Sequence, residues 1–240
     1  MAITESGVAL LPRIERFKSV QALSDAVAGR VAGAVMQGVQ ARGAAQLVFS
    51  GGSTPEVFLP QVASLDLPWD KVTVMLADER WVDEDHPHSN AAMLRRTLLS
   101  HEGPNRAQFV PLKNSAPSAG AGVGALRASL PSSLHRHDLV LLGMGNDAHF
   151  ASLFPGTPGL AALLDPANTD RLGAIPPPTT AAPAIERISM TYAELMHSRG
   201  VALIIQGQTK LTVLENALRG ADPIATPAAA LHDIDVLWCP

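Results

Sequence analysis

The sequence predicts an α/β fold: a single Rossmann-like domain over residues 1–240, with a mostly parallel sheet covered by helices on both faces. Three observations predict it. Short apolar runs alternate with segments whose apolar residues recur at helical spacing. The runs are continuously apolar rather than alternating, the pattern of strands buried on both faces. Several of them end in turns rich in Gly, Ser, Asn or Asp, as strands do at the ligand edge of an open parallel sheet.

Taken in order, Val20, Leu23, Val27, Val31 and Val35 share one helical face, which predicts a helix over 20–39 ending near Gly43. Leu47-Val48-Phe49 reads as a strand that runs into Ser50-Gly51-Gly52-Ser53-Thr54-Pro55. Pro55 suits the first turn of a following helix. The run 72–77 is a second strand, ending at Asp78-Glu79-Arg80, and a helix over 89–99 follows with Ser89 or Asn90 as cap. Residues 101–137 read as loop with one helix over 123–130. Leu139-Val140-Leu141-Leu142 is a strand that stops at Gly143. Residues 156–183, with Pro176-Pro177-Pro178, read as a long surface excursion, because proline fits neither a helix interior nor a central strand. Beyond it come strands at 188–191 and 201–205, a helix over 208–218, and a last strand at 236–238.

Composition narrows the function classes. Net charge is −4 and the basic residues are scattered, so no nucleic-acid partner is expected. No apolar run reaches the ~20 residues needed to cross a bilayer, and no secretory leader pattern opens the chain. Cys239 is the single cysteine, which leaves no internal disulfide and points to a reducing, cytoplasmic setting.

Four strand ends carry polar groups to one edge. The loop Ser50, Gly51, Gly52, Ser53, Thr54 suits an anion: glycines expose N–H groups, hydroxyls donate, and a helix N-terminus follows. Arg80 can grip phosphate or carboxylate with its planar fork, or merely pair with Glu79 or Asp83 at the surface. Lys210, four residues past a strand end, can reach the same crevice. Asp147 and His149, two residues apart after the strand at 139–142, suit a base and its orienter.

Three other motifs are set aside. Gly143-Met144-Gly145-Asn146-Asp147-Ala148 fits the dinucleotide spacing, but Pro155 and Gly156 interrupt the required helix. The run Asp83-Glu84-Asp85-His86-Pro87-His88 reads as an exposed loop rather than a metal site. There is no G-x-x-x-x-G-K-[ST] phosphate loop.

SGGSTP at 50–55, DERWV at 78–82, HPHSN at 86–90, GMGNDAHFASLFPG at 143–156 and QGQTK at 206–210 together resemble the 6-phosphogluconolactonase family, in its order and spacing. The resemblance implies the phosphosugar isomerase/deaminase superfold and a step of the oxidative pentose phosphate pathway. It implies hydrolysis of 6-phospho-D-glucono-1,5-lactone without metal or cofactor, with His149 as the base and Asp147 shaping the site. Ser50, Gly51, Gly52, Ser53, Thr54, Asp78, Arg80, Asn90 and Lys210 would then hold phosphate and sugar. The only partner implied is a small phosphosugar lactone, and the chain would be a monomer or weak homodimer. Related deaminases resemble GHIAFNEP at the histidine turn, with a Glu five residues after the His; here that place is Phe154, which cannot relay a proton. The family's D-G-H-T turn is Asp147-Ala148-His149-Phe150 here. If the turn needs φ > 0, Ala148 strains it by roughly 1–2 kcal/mol. Phe150 either fills part of the pocket or joins the core. A sugar-phosphate-binding protein with a disabled turn, and a glucosamine-6-phosphate deaminase or isomerase, are the competing expectations.

Overall fold

A computed structural model describes residues 12–131, 136–179 and 182–240. Much of the opening segment scanned for a leader, and parts of the two predicted loop stretches, lie outside the described residues.

The chain opens with strand β1 (Arg13–Arg16) and helix α1 (Val20–Arg42). Ser19 caps α1 by accepting the Ala22 N–H, and Gly43 closes it at φ 77. Strand β2 (Ala45–Phe49) leads to α2 (Ser53–Ala63). Strands β3 (Val72–Leu76) and β4 (Asp78–Arg80) are separated by Ala77 alone. Helix α3 (Asn90–Leu94) continues into a π-helical turn over Arg95–Leu99. Next come β5 (Gln108–Val110), α4 (Ala119–Ser129), β6 (Leu139–Leu142), α5 (Leu160–Leu164) and β7 (Leu172–Ile175). The chain then runs through β8 (Arg187–Met190), α6 (Tyr192–Met196), β9 (Val201–Gln206), α7 (Gln208–Leu218) and β10 (Asp235–Cys239).

Seven strands form one parallel sheet in the order β1-β10-β9-β6-β2-β3-β5. All four residues of β6 are buried, as are four successive residues of β9. Neighbouring side chains on a strand point to opposite faces, so both faces are covered there. From β2 the chain builds outward through β3 to β5. It then returns to place β6 on the other side of β2 and continues outward to β9 and β10. The strand order therefore reverses between β2 and β6, and open sheets bind ligands beyond the strand ends at such a point.

Two features correct the sequence reading. First, β4, β8 and β7 form a separate antiparallel sheet. Asp78–Arg80 is therefore not a turn at a strand end but a strand of its own, and the predicted strand at 188–191 joins it rather than the parallel sheet. The two sheets are stitched at Ala77: its N–H donates to Phe49 O at 2.9 Å, and its carbonyl accepts from Met190 N at 2.8 Å. Second, the Pro-rich stretch is not a bare excursion. It carries α5 and β7, and Leu160, Leu164, Leu172 and Ile175 are buried. The triple proline at 176–178 does act as expected, directly following the end of β7.

Smaller differences have local causes. Strand β1 carries no apolar run, and its place at the sheet edge is secured by Arg30 of α1, which bonds Glu15 at 2.7 Å and Asp235 of β10 at 2.5 Å. Helix α4 starts four residues earlier than predicted because Ser118 caps it, accepting the Ala121 N–H. Strand β5 lies in the stretch expected as loop; it is three residues long and pairs with β3 at the sheet edge. Among the described residues no helix is long and apolar enough to cross a membrane.

Candidate active site

The ends of β2, β3, β6 and β9 converge on one cavity of about 140 Å³. Ser50, Gly51, Gly52, Ser53, Thr54, Asp78, Arg80, Asn90, His149 and Lys210 all line it, and Asp147 stands behind His149. The residues singled out in the sequence are thus brought together.

The loop after β2 is fixed by the Ser50 N–H, which donates to Leu141 O of β6 at 2.9 Å. The Ser50 side chain is buried, and its Oγ has no protein partner. The loop then delivers the N-terminus of α2, whose first-turn N–H groups have no intrahelical acceptors and favour an anion. Gly51 has to be glycine here: a Cβ would lie 2.0 Å from Asn90 Oδ1.

The turn after β6 is wound tightly around His149. Gly145 N donates to His149 O at 2.9 Å, and Ala148 N to Gly145 O at 3.1 Å. A side chain at Gly145 would fall 2.3 Å from the imidazole. His149 Nδ1 meets Asp147 Oδ1 at 2.5 Å. Burial pushes the Asp147 carboxyl up, but the hydrogen bonds and charge of His149 outweigh it and hold the group below its ordinary value. An ionised Asp147 accepts only, so Nδ1 carries the proton and Nε2 is left as the basic atom. His149 packs on Phe154, with ring centroids 4.1 Å apart.

The two departures from the family turn resolve differently. Phe150 is fully buried and joins the core; it takes no part of the cavity. Ala148 does sit at φ 64, and Ala151 on the other side of His149 sits at φ 46. Left-handed backbone costs an alanine roughly 1–2 kcal/mol. Glycine would lose about 0.4–1 kcal/mol through its freer unfolded chain. It would also forgo about 0.8 kcal/mol from the buried Ala148 methyl. These terms offset. Ala148→Gly is therefore expected to change stability by less than about 1 kcal/mol. A thermal melt checks this: the midpoint should move by less than about 4 °C, and a larger rise would show a strained turn instead.

Three cations face the cavity. Arg80 Nη1 donates to His88 O at 2.7 Å, while its buried Nε has no partner. Its guanidinium forms no ion pair with Glu79 or Asp83. Lys210 sits in the first turn of α7, and burial pulls its ammonium below its usual range. The preceding Gly207 is anchored by Trp238 Nε1, which donates to its carbonyl at 3.0 Å. Arg187 of β8 is the third, and sequence reasoning missed it. It is almost fully buried, its Nε is unpartnered, and its guanidinium lies 4.9 Å from the centre of the Phe154 ring. Burial pulls its pKa down, partly opposed by the charge of Asp78. Asp78 itself accepts from Ser152 Oγ at 2.6 Å. No carboxylate forms an ion pair with Arg80, Arg187 or Lys210 among the described residues. Unpaired cations around one cavity are costly unless an anionic ligand completes them.

Fold and cavity together define an open α/β protein with a cationic cavity beside a histidine–aspartate pair. A family model described as "Glucosamine-6-phosphate isomerases/6-phosphogluconolactonase" matches residues 18–238, and the chain belongs to that family. A 6-phosphogluconolactonase of Pseudomonas putida is 40% identical over 243 residues, spanning 100% of this chain and 98% of its own. Another, of Mesorhizobium japonicum, is 39% identical over 224 residues and spans 91% of each chain. The crystal structure of a 6-phosphogluconolactonase from Shewanella baltica matches with a TM-score of 0.88 at 35% identity, covering 95% of this chain and 98% of that one.

Proposed function

We propose that this chain is a 6-phosphogluconolactonase, hydrolysing 6-phospho-D-glucono-1,5-lactone to 6-phosphogluconate in the oxidative pentose phosphate pathway. The observation that carries the proposal is the His149–Asp147 pair, with Nε2 left basic at a cavity that Arg80, Arg187 and Lys210 line with no carboxylate ion pair among the described residues. The phosphate would lie on the Ser50–Thr54 loop and the N-terminus of α2, with Lys210 and Arg187 as counter-charges. Arg80, Asn90 and Asp78 would complete the grip on the sugar.

His149 Nε2 would take a proton from water as the water oxygen bonds C1. The carbonyl π pair moves to oxygen, giving a tetrahedral oxyanion that the surrounding cations favour. When the oxyanion collapses, the bond from C1 to the ring oxygen breaks, and His149 returns its proton to that oxygen. Asp147 holds the imidazole tautomer and steadies its charged form. The lactone is an activated ester, so acid–base catalysis suffices, with neither a covalent nucleophile nor a cofactor.

The reading extends to a single domain over residues 1–240, a cytoplasmic monomer or weak homodimer, and no nucleic-acid partner. A disabled binding protein is disfavoured by the formed turn at Ala148 and by the burial of Phe150. An amino-sugar deaminase is disfavoured by the apolar ring of Phe154 beside the imidazole. The test offers both substrates to the purified protein. Lactone made in situ should release acid faster than its spontaneous rate, and glucosamine 6-phosphate should release no ammonia. Ammonia release without lactone hydrolysis would overturn the proposal.

A further inference from the structure

Glu79 is buried, yet it does not line the candidate active site. It lines instead a neighbouring cavity of about 280 Å³. It is nonetheless bonded on both oxygens. Oε1 accepts from Arg80 N at 2.7 Å and from Asn90 N at 2.8 Å. Oε2 accepts from Ala91 N at 2.7 Å and from Ser89 Oγ at 3.2 Å. Four donors fill about the whole acceptor capacity of an ionised carboxylate.

One oxygen thus ties the backbone of Arg80 to that of Asn90, and both of those side chains line the site. Each is then aimed by a second bond within the same segment. Arg80 Nη1 donates to His88 O at 2.7 Å. Asn90 Nδ2 donates to Asp78 O at 2.8 Å, and its amide lies against Gly51 so closely that no Cβ fits between them. A shift of Asn90 would therefore be felt in the Ser50–Thr54 loop as well.

We infer that Glu79 is a positioning residue for ligand binding, setting Arg80, Asn90 and through Asn90 the Gly51 loop, without itself touching the ligand. This rests on the reading of the cavity as a phosphosugar site. A helix cap with no functional role would lose stability on substitution but leave ligand affinity unchanged.

Glu79→Gln keeps the shape and turns one acceptor into a donor facing donors. The measurements are the Kd for 6-phosphogluconate by calorimetry, kcat and KM on the lactone, and the thermal midpoint. Charged hydrogen bonds of this kind correspond to roughly tenfold or more in affinity, so Kd and KM should rise at least about tenfold in the folded variant. kcat should change by less than about threefold, because His149 and Asp147 are not moved. In an Asn90→Ala background the same substitution should have a clearly smaller effect than in the wild type, since the part that runs through Asn90 is already lost and only the part through Arg80 remains. A folded Glu79→Gln with wild-type Kd overturns the inference, as does a fully additive double variant. Should Glu79→Gln not fold, Ser89→Ala removes one of the four donors, and unchanged Kd there overturns the inference. Wild-type hydrolysis of the lactone judges the proposed reaction separately, because the 6-phosphogluconate Kd does not depend on turnover.

Discussion

His149→Ala should lower kcat on the lactone by ~10²–10⁴-fold, the usual contribution of a well-placed general base. The fold should survive. The imidazole is a quarter exposed, and the backbone bonds that wind the turn do not involve its side chain. What the substitution removes is the atom that accepts the proton of water and then delivers it to the ring oxygen. KM should move little, because the phosphate grip lies on other elements. Steady-state kinetics with a thermal melt on the same sample checks this. Activity near wild type would remove His149 from the mechanism, whatever its geometry.

Arg187→Met should raise KM by about 10²-fold, the scale of a lost charged hydrogen bond or pair of them. It should also leave the ligand-free protein as stable as before, or more so. The two effects share a cause. Among the described residues Arg187 has no carboxylate ion pair, and the cost of burying its charge outweighs the attraction of the nearby Asp78 and Glu79, so removing the charge relieves that cost. Methionine keeps a chain of similar length beside the Phe154 ring. In the enzyme the unpaired charge is a standing cost that an anionic substrate offsets. A raised KM with an equal or higher melting midpoint would support that account. An unchanged KM would place Arg187 outside the binding set.

The site was legible where chemistry sits at strand ends. Asp147, His149, the Ser50–Thr54 loop and Lys210 all follow apolar runs directly, so their convergence could be read from the order of the chain. Arg187 could not be read that way. It begins an apolar strand, Arg187-Ile188-Ser189-Met190, whose sheet is formed only by tertiary pairing with β4. The one available signal was a guanidinium immediately before the expected strand at 188–191. Glu79 hid for a related reason. In the sequence, Asp78-Glu79-Arg80 reads as the turn ending a strand, with Glu79 no more than a surface partner for Arg80, whereas in the fold it is a three-residue strand with two buried acids. Its partners, Ser89, Asn90 and Ala91, lie ten to twelve residues away.

The parallel sheet was legible for the same reason as the site: β2, β3, β6 and β9 are predominantly apolar runs. Elements with weak local signals were missed, as β1 was, or read too short, as α4 was. β1 holds two arginines and a glutamate among its four residues, and α4 carries Gly120, Gly122 and Gly124 inside it. Gly122 is required by packing, since a Cβ there would meet the Trp81 ring at 2.3 Å. The Pro-rich stretch misled through composition. Its triple proline marks the end of β7, while Leu160, Leu164, Leu172 and Ile175 reach the interior.

The most direct test of the whole account is acid release from freshly generated 6-phospho-D-glucono-1,5-lactone, compared between no protein, wild type and His149→Ala at equal micromolar concentration. The account predicts a trace for wild type far above the spontaneous rate and a His149→Ala trace close to it. Equal traces for wild type and the protein-free control would contradict it.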